Sequence, residues 1–141
     1  MGGMEKAVVD ASIIVKWFVE ESGSKDALSV RDRYVEGTLE IIAPSLLHYE
    51  VLNALHFKGL FAPLELRDAS SALDSYSFDL RQLNGEYAKA ALRIASEHSL
   101  SLYDASYVAL ACMEKAPFYT ADGRLARRVS ARSDVSVVSV S

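Results

Sequence analysis

Two rhythms alternate along the chain, a short unbroken apolar run and a longer run with helical spacing, and together they predict strands separated by helices. The first short run is Ala7, Val8 and Val9, which suits a strand buried on both faces of a parallel sheet. Helical spacing resumes at Ile13, Ile14, Trp17 and Phe18, leaving Asp10 at the switch from strand to helix. After a polar connection over Glu20 to Lys25, a helix is expected from about Asp26 to Val35, ended by Gly37. Leu39 to Ala43 reads as a short strand stopped by Pro44, which in turn is expected to open a long helix reaching Lys58 before Gly59. That helix is apolar nearly all round, through Leu46, Leu47, Tyr49, Val51, Leu52, Ala54, Leu55 and Phe57, and is expected to be covered on more than one side.

Pro63 starts another helix, to about Leu73, which forms a helical hairpin with its predecessor, hinged at Gly59 to Ala62. Tyr76 to Leu80 is a weak strand candidate, and Asn84 is placed to cap a helix reaching Glu97. Leu102 to Lys115 is expected to be helical from Asp104 onward, with Pro117 ending it. Phe118 to Ala121 is a strand, Gly123 to about Ala131 a short basic helix, and Val135 to Val140 a final edge strand partly covered on both sides. Strands alternating with helices imply an α/β fold with a parallel sheet and right-handed crossovers. No repeat or internal boundary interrupts it, so a single domain over residues 4–141 is expected, with Met1 to Gly3 set aside as a cloning remnant or an early start.

A chain of 141 residues can bury a core without staples, and no apolar run approaches the roughly 18 residues of a membrane span, so no membrane partner is expected. The single cysteine, Cys112, cannot form an internal disulfide; a buried reduced thiol and a cytoplasmic location are the expectation. The net charge of −4 argues against a protein that coats nucleic acid nonspecifically. Setting four carboxylates aside as metal ligands, however, leaves basic and acidic residues balanced at 15 each. Between Lys115 and Arg132 the sequence carries five basic residues against the one acid Asp122, which would make either a basic lip beside an acidic pocket or a solvated helix face.

The four carboxylates are Asp10, Glu50, Asp104 and Asp122. Asp10 ends a buried strand, at the sheet edge where open α/β sheets bind ligands. It could instead cap the following helix, but Ser12 can serve there and leave it free. Glu50 is a lone charge in the apolar stretch LLHYEVLNAL, flanked along the helix by Leu46, Leu47, Asn53 and Ala54, which offers little polar surface for a solvated stripe. Asn53 could hydrogen-bond that carboxylate or a phosphate. Asp104 and Asp122 both stand where helix caps stand, and a cap at a helix N-terminus is also a stabilised anion of the kind a hard cation needs.

Carboxylates without histidine or cysteine partners fit Mg²⁺, with Mn²⁺ as substitute, rather than zinc. The three histidines, His48, His56 and His98, are spaced as surface or partly packed residues. No P-loop, Gly-rich dinucleotide turn or nucleophile elbow is present, which disfavours nucleotide cofactors and acyl transfer. A haloacid-dehalogenase-type phosphatase would need a second aspartate two residues after the first, where Ser12 stands.

In order, the pieces VVDASIIVKWFVEE, PSLLHYEVLNAL, SLYDASYVALA and YTADGRLAR resemble the PIN-domain ribonucleases, and most closely the VapC-type toxins of toxin–antitoxin pairs. The resemblance implies a PIN-like three-layer α/β/α sandwich with a central parallel sheet of four or five strands. It also implies a homodimer, a small VapB-like antitoxin as partner, and Mg²⁺-dependent endonucleolytic cleavage of RNA by metal-activated water, leaving a 5′-phosphate and a 3′-hydroxyl. The family's acidic metal-binding residues fall on Asp10, Glu50, Asp104 and Asp122, its small hydroxyl position on Ser12 and its commonly polar one on Asn53. The first three would hold the principal ion and Asp122 a second ion or the attacking water. The family's further acidic position is not matched after Asp122, where Arg124 and Arg127 stand, so a second ion would bind weakly or arrive with substrate. Lys16, Arg124, Arg127 and Arg128 are candidate contacts to RNA phosphates, and the apolar helix ending in Phe57, Leu60 and Phe61 is a candidate docking face for antitoxin or second subunit. The alternative is a catalytically silent scaffold that binds RNA or a protein, which would have no need of the four acids.

Overall fold

The structure, a computed structural model, describes residues 4–140, so Met1 to Gly3 lie outside the described residues. The chain builds five parallel strands, β1 (Glu5–Val9), β2 (Leu39–Pro44), β3 (Asp79–Arg81), β4 (Phe118–Thr120) and β5 (Val137–Ser139), in the spatial order β3-β2-β1-β4-β5. Seven helices connect them: α1 (Ala11–Val15), α2 (Ser24–Val35), α3 (Leu47–Lys58), α4 (Pro63–Ser75), α5 (Gly85–His98), α6 (Leu102–Glu114) and α7 (Gly123–Val129). The central strand is the apolar run at the start of the chain. Ala7 lies beside Ile41, and Val8 beside both Ile42 and Phe118, so a strand flanked on each edge and covered on each face can be apolar throughout.

The order of strands places the site. From β1 the chain steps outward to β2 and β3, with α1 to α4 in the crossovers, then returns through α5 and α6 to the other side of β1 and continues to β5. Right-handed crossovers in opposite directions put the two sets of helices on opposite faces, giving the three layers. The direction reverses between β1 and β4, and a crevice opens there at the carboxyl ends of the strands. Asp10 follows β1 and Asp122 follows shortly after β4, so both stand at that reversal.

Helices differ in burial as their faces differ. α6 crosses the sheet and buries every residue from Ala105 to Ala111, whereas α5 lies outside it and buries the stripe Tyr87, Ala91 and Ile94. For α3 the expectation of cover on more than one side is corrected. Only Leu47, Val51 and Leu55, four residues apart, are fully buried, while Tyr49 and Phe57 stand 80% and 77% exposed. Pro44 also needs correcting: it closes β2 opposite Arg81, and α3 begins at Leu47. A proline is tolerated at a strand end as readily as in a first helical turn, and the Ser45 N–H, 2.8 Å from the Arg81 carbonyl, takes over the ladder. The strand candidate at 135–140 shortens to β5, and that at 76–80 shifts to β3, which overlaps it only at Asp79 and Leu80; the two are the sheet edges. Asn84 stands at the start of α5, but its side chain makes no capping bond.

Candidate metal centre at the switch point

Asp10 is held by the backbone where β1 ends: its N–H donates to the Tyr119 carbonyl at 3.0 Å, so β4 fixes its position. It occupies the N-cap position of α1 without making a side-chain cap bond. Instead, its Oδ2 accepts from the Thr120 hydroxyl at 2.7 Å and from the Ser12 hydroxyl at 3.0 Å. Those two hydroxyls are themselves fixed, because the Ala121 N–H donates to Ser12 Oγ and the Asp122 N–H to Thr120 Oγ1, at 2.9 and 3.0 Å. One oxygen of Asp10 is thus secured by groups that also set the start of the β4–α7 connection. Burial pushes its carboxyl above the ordinary value; the two hydroxyls work against that rise, and the charge of Asp104 adds to it.

Glu50 comes from α3 and is half-buried. The Tyr107 hydroxyl of α6 donates to its Oε1 at 2.7 Å. Desolvation raises its proton affinity, and the charges of Asp10 and Asp104 raise it further. Asp104 lies in the first turn of α6, but not as its cap: Ser101 holds that place, accepting from the Asp104 N–H at 3.0 Å, which corrects the expectation that the helix begins at Asp104. Its carboxyl too is raised, by desolvation and then by Asp122, with Arg128 as a nearby opposing cation. Asp122 caps α7, its Oδ1 accepting from the N–H groups of Arg124 and Leu125, both at 3.1 Å. Asp10, Glu50 and Asp104 therefore each feel at least one other acid, although the four come from separate stretches of chain.

The remaining candidates are placed unevenly. Ser12 is in the cluster. Asn53 is exposed on α3 and makes no hydrogen bond to Glu50 among the described residues. Lys16 is turned to other work, its ammonium 3.3 Å from a Glu21 carboxylate oxygen and 2.6 Å from the Ser22 carbonyl. Arg128 donates to the Ser99 carbonyl at 2.9 Å, close to the start of α6. Arg127 folds back over the start of α7, where a side-chain carbon at Gly123 would sit 3.3 Å from its Nη1. Arg124 is exposed in the first turn of α7. The histidines lie elsewhere, His48 beside Asp74, His56 against the Phe57 ring and His98 beside Arg132. Two members of the cluster, Thr120 and Tyr107, escaped the sequence reading. The signal for Thr120 was a hydroxyl at the end of an otherwise apolar buried strand, and for Tyr107 a phenol one turn after Asp104.

In kind, the donors fit a hard divalent cation: all are carboxylate oxygens, and those of Asp10, Glu50 and Asp104 are partly or wholly desolvated. As they stand, no three Asp, Glu, His or Cys side chains among the described residues are close enough to close around an ion. The crevice is also distinct from the hollow of about 500 Å³ at the opposite, amino-terminal rim of the sheet, which Tyr34, Leu39, Glu40 and Tyr76 help to line.

The fold is thus a three-layer α/β sandwich with acids at the switch point of its parallel sheet. The PIN domain family model matches residues 7–130, and the chain belongs to that family, among its VapC-type members. It is 33% identical to ribonuclease VapC3 of Pyrobaculum aerophilum over 130 residues, 89% of this chain and 96% of that protein. It is 30% identical to ribonuclease VapC1 of Mycobacterium tuberculosis over 139 residues, covering 96% and 99% of the two. In fold it is similar to a chain of a toxin–antitoxin complex from Klebsiella pneumoniae, with a TM-score of 0.68 at 17% identity, over 94% of this chain and 96% of that one.

Proposed function

We propose that the protein is an Mg²⁺-dependent endoribonuclease, with Mn²⁺ as an effective substitute, and that it is the toxin of a toxin–antitoxin pair. The observation that carries this reading is the coupling of Asp10, Glu50, Asp104 and Asp122, three of them with raised proton affinity, at the carboxyl edge of the sheet. The relatives named ribonuclease supply the substrate class. Asp10, Glu50 and Asp104 would hold the principal ion, and Asp122 would orient water or a second ion. A divalent cation held there supplies a more acidic water and a counter-charge for the phosphate oxygens. The chain's own part is to present oxygens and bind the strand. Ser12 and Thr120 fix one face of Asp10, and Arg124, Arg127 and Arg128 on α7 offer positive charge to phosphates on the side of Asp122. Lys16, occupied by Glu21, is left out.

The partner in this reading is a small antitoxin, and the exposed Tyr49 and Phe57 of α3, with Leu60 just beyond its end, are apolar surface for it or for a second subunit of a homodimer. The chain acts as a single domain over residues 4–141 in the cytoplasm, with Cys112 a free, partly buried thiol. The purified protein should cut single-stranded RNA to 5′-phosphate ends with Mg²⁺ or Mn²⁺ present. Cutting should stop with EDTA and return on adding Mg²⁺ back. Full activity after exhaustive chelation would reject the metal mechanism.

A further inference from the structure

Tyr107 is the largest fully buried side chain of the protein, yet its hydroxyl does not end on a backbone carbonyl. It donates to Glu50 Oε1 at 2.7 Å, across 57 residues of sequence, and the Ala11 N–H lies close to the same phenolic oxygen. The ring packs tilted against Phe118, centroids 6.4 Å apart, which holds the hydroxyl in one place. A phenylalanine would fill the same core space without desolvating a hydroxyl, so the oxygen needs a reason to be there. Three of the four acids supply one. Asp104 precedes Tyr107 by one turn of the same helix, Ala11 follows Asp10 directly, and Glu50 takes the hydrogen bond.

Resting on the metal-site reading above, we propose that Tyr107 is a positioning residue for the metal centre. It fixes the Oε1 side of Glu50 and thereby aims Oε2, which has no hydrogen bond from the described residues, at the ion. Glu50 is long, half-buried and mounted on α3, whose outer face has no cover from the rest of the chain. Unguided, it would pay rotamer entropy on every binding event. With the phenol in place, the spacing of Asp104 and Glu50 is set from one rigid helix. Partners that orient a ligand in this way commonly contribute tenfold or more to metal affinity.

The test is a double-mutant cycle read by Mn²⁺ binding, followed through the electron paramagnetic resonance of free Mn²⁺ with no RNA present. Tyr107→Phe should weaken Mn²⁺ binding about tenfold, and Glu50→Gln should weaken it as well. The double variant should be no weaker than Glu50→Gln alone, because the phenol acts through that carboxylate. Wild-type affinity in Tyr107→Phe with weakened binding in Glu50→Gln would overturn this inference alone. So would additive losses in the double variant. Unchanged binding in Glu50→Gln would overturn the metal-site reading beneath it.

Discussion

The acids of this protein live in two environments. Away from the crevice several are matched with cations. Asp79 and Glu114 both grip Arg81, at 2.9 and 3.0 Å; Asp134 and Glu97 grip Arg132, at 2.7 and 3.0 Å; and Glu21 takes Lys16 and Lys58, at 3.3 and 3.0 Å. Pairing of this kind holds Asp79, Glu21 and Asp134 below their ordinary values, through Arg81, Lys58 and Arg132 respectively. In the crevice, Asp10 and Glu50 are secured by hydroxyl groups and raised above theirs. A hydroxyl satisfies one oxygen without neutralising the charge. The paired acids are therefore balanced as they are, while Asp10 and Glu50 keep an uncompensated charge of the kind the proposed cation would balance.

The sharpest way to break the comparison is Asp10→Asn. The amide keeps the shape and removes the charge, so RNA cleavage should fall by at least about 100-fold, as it does when a principal electrostatic group is lost. Stability should not fall with it. Because burial raises the Asp10 pKa, its ionised form costs the folded state at neutral pH, a cost that shrinks as pH falls through the raised value. The variant's melting temperature at pH 7 should equal or exceed that of wild type, by circular dichroism or calorimetry. Cleavage at a comparable rate would remove Asp10 from the site, and a clear loss of stability would return it to the structural class.

A second test sharpens the positive side of the crevice. The cation felt by Asp104 is Arg128, and Arg127 lies over the start of the helix that Asp122 caps. If these groups meet phosphate, charge reversal at both should raise KM by roughly tenfold and lower the steepness of its salt dependence by one to two contacts, about one per residue, while the melting curve stays near wild type. Unchanged kinetics over a salt series would leave α7 as a solvated helix and nothing more.

How much of this could be read from sequence follows the same division. The parallel sheet was legible because a strand enclosed on both faces has to be apolar, and AVV ending in Asp10 displays that rule directly. Burial of single helix faces was less legible. An all-round apolar α3 has the same composition whether its outer face is covered or left for a partner, so Tyr49 and Phe57 read as core although they are exposed. Pro44 suits two adjacent positions equally well, and Ser101 and Asp104 compete for one cap. Asp10 and Glu50 could be nominated because each is chemically out of place in its own stretch, and Asp104 and Asp122 because their stretches match the family's. Thr120 and Tyr107 could not, since a hydroxyl at a strand end or in a helix is ordinary until its partner, 110 or 57 residues away, is in view. Lys16 is engaged locally: Glu21, five residues on, lies against its ammonium.

The smallest expected effect tests the paired acids, and its sign is opposite to that at Asp10. Arg81→Ala removes the cation between Asp79 and Glu114. At neutral pH the loss should be about 1 kcal/mol or less, since all three side chains reach solvent and the pair is screened; that corresponds to about 2–4 °C in melting temperature for a chain of this size. Asp79 is held below its ordinary value of 3.8, so the stability it contributes is fully present above that value and is lost as pH falls through the lowered one. The gap between wild type and variant should therefore be constant from pH 8 to about pH 5 and close below pH 4. At Asp10 the gap to its asparagine variant closes from the other direction, with wild type gaining as protons bind. Melting curves of Arg81→Ala and Asp10→Asn across one pH series should thus move in opposite senses relative to wild type at neutral pH and converge on it under acid. Parallel curves would mean that hydroxyl-held and cation-held carboxylates are energetically alike, and the contrast between the two regions would be gone.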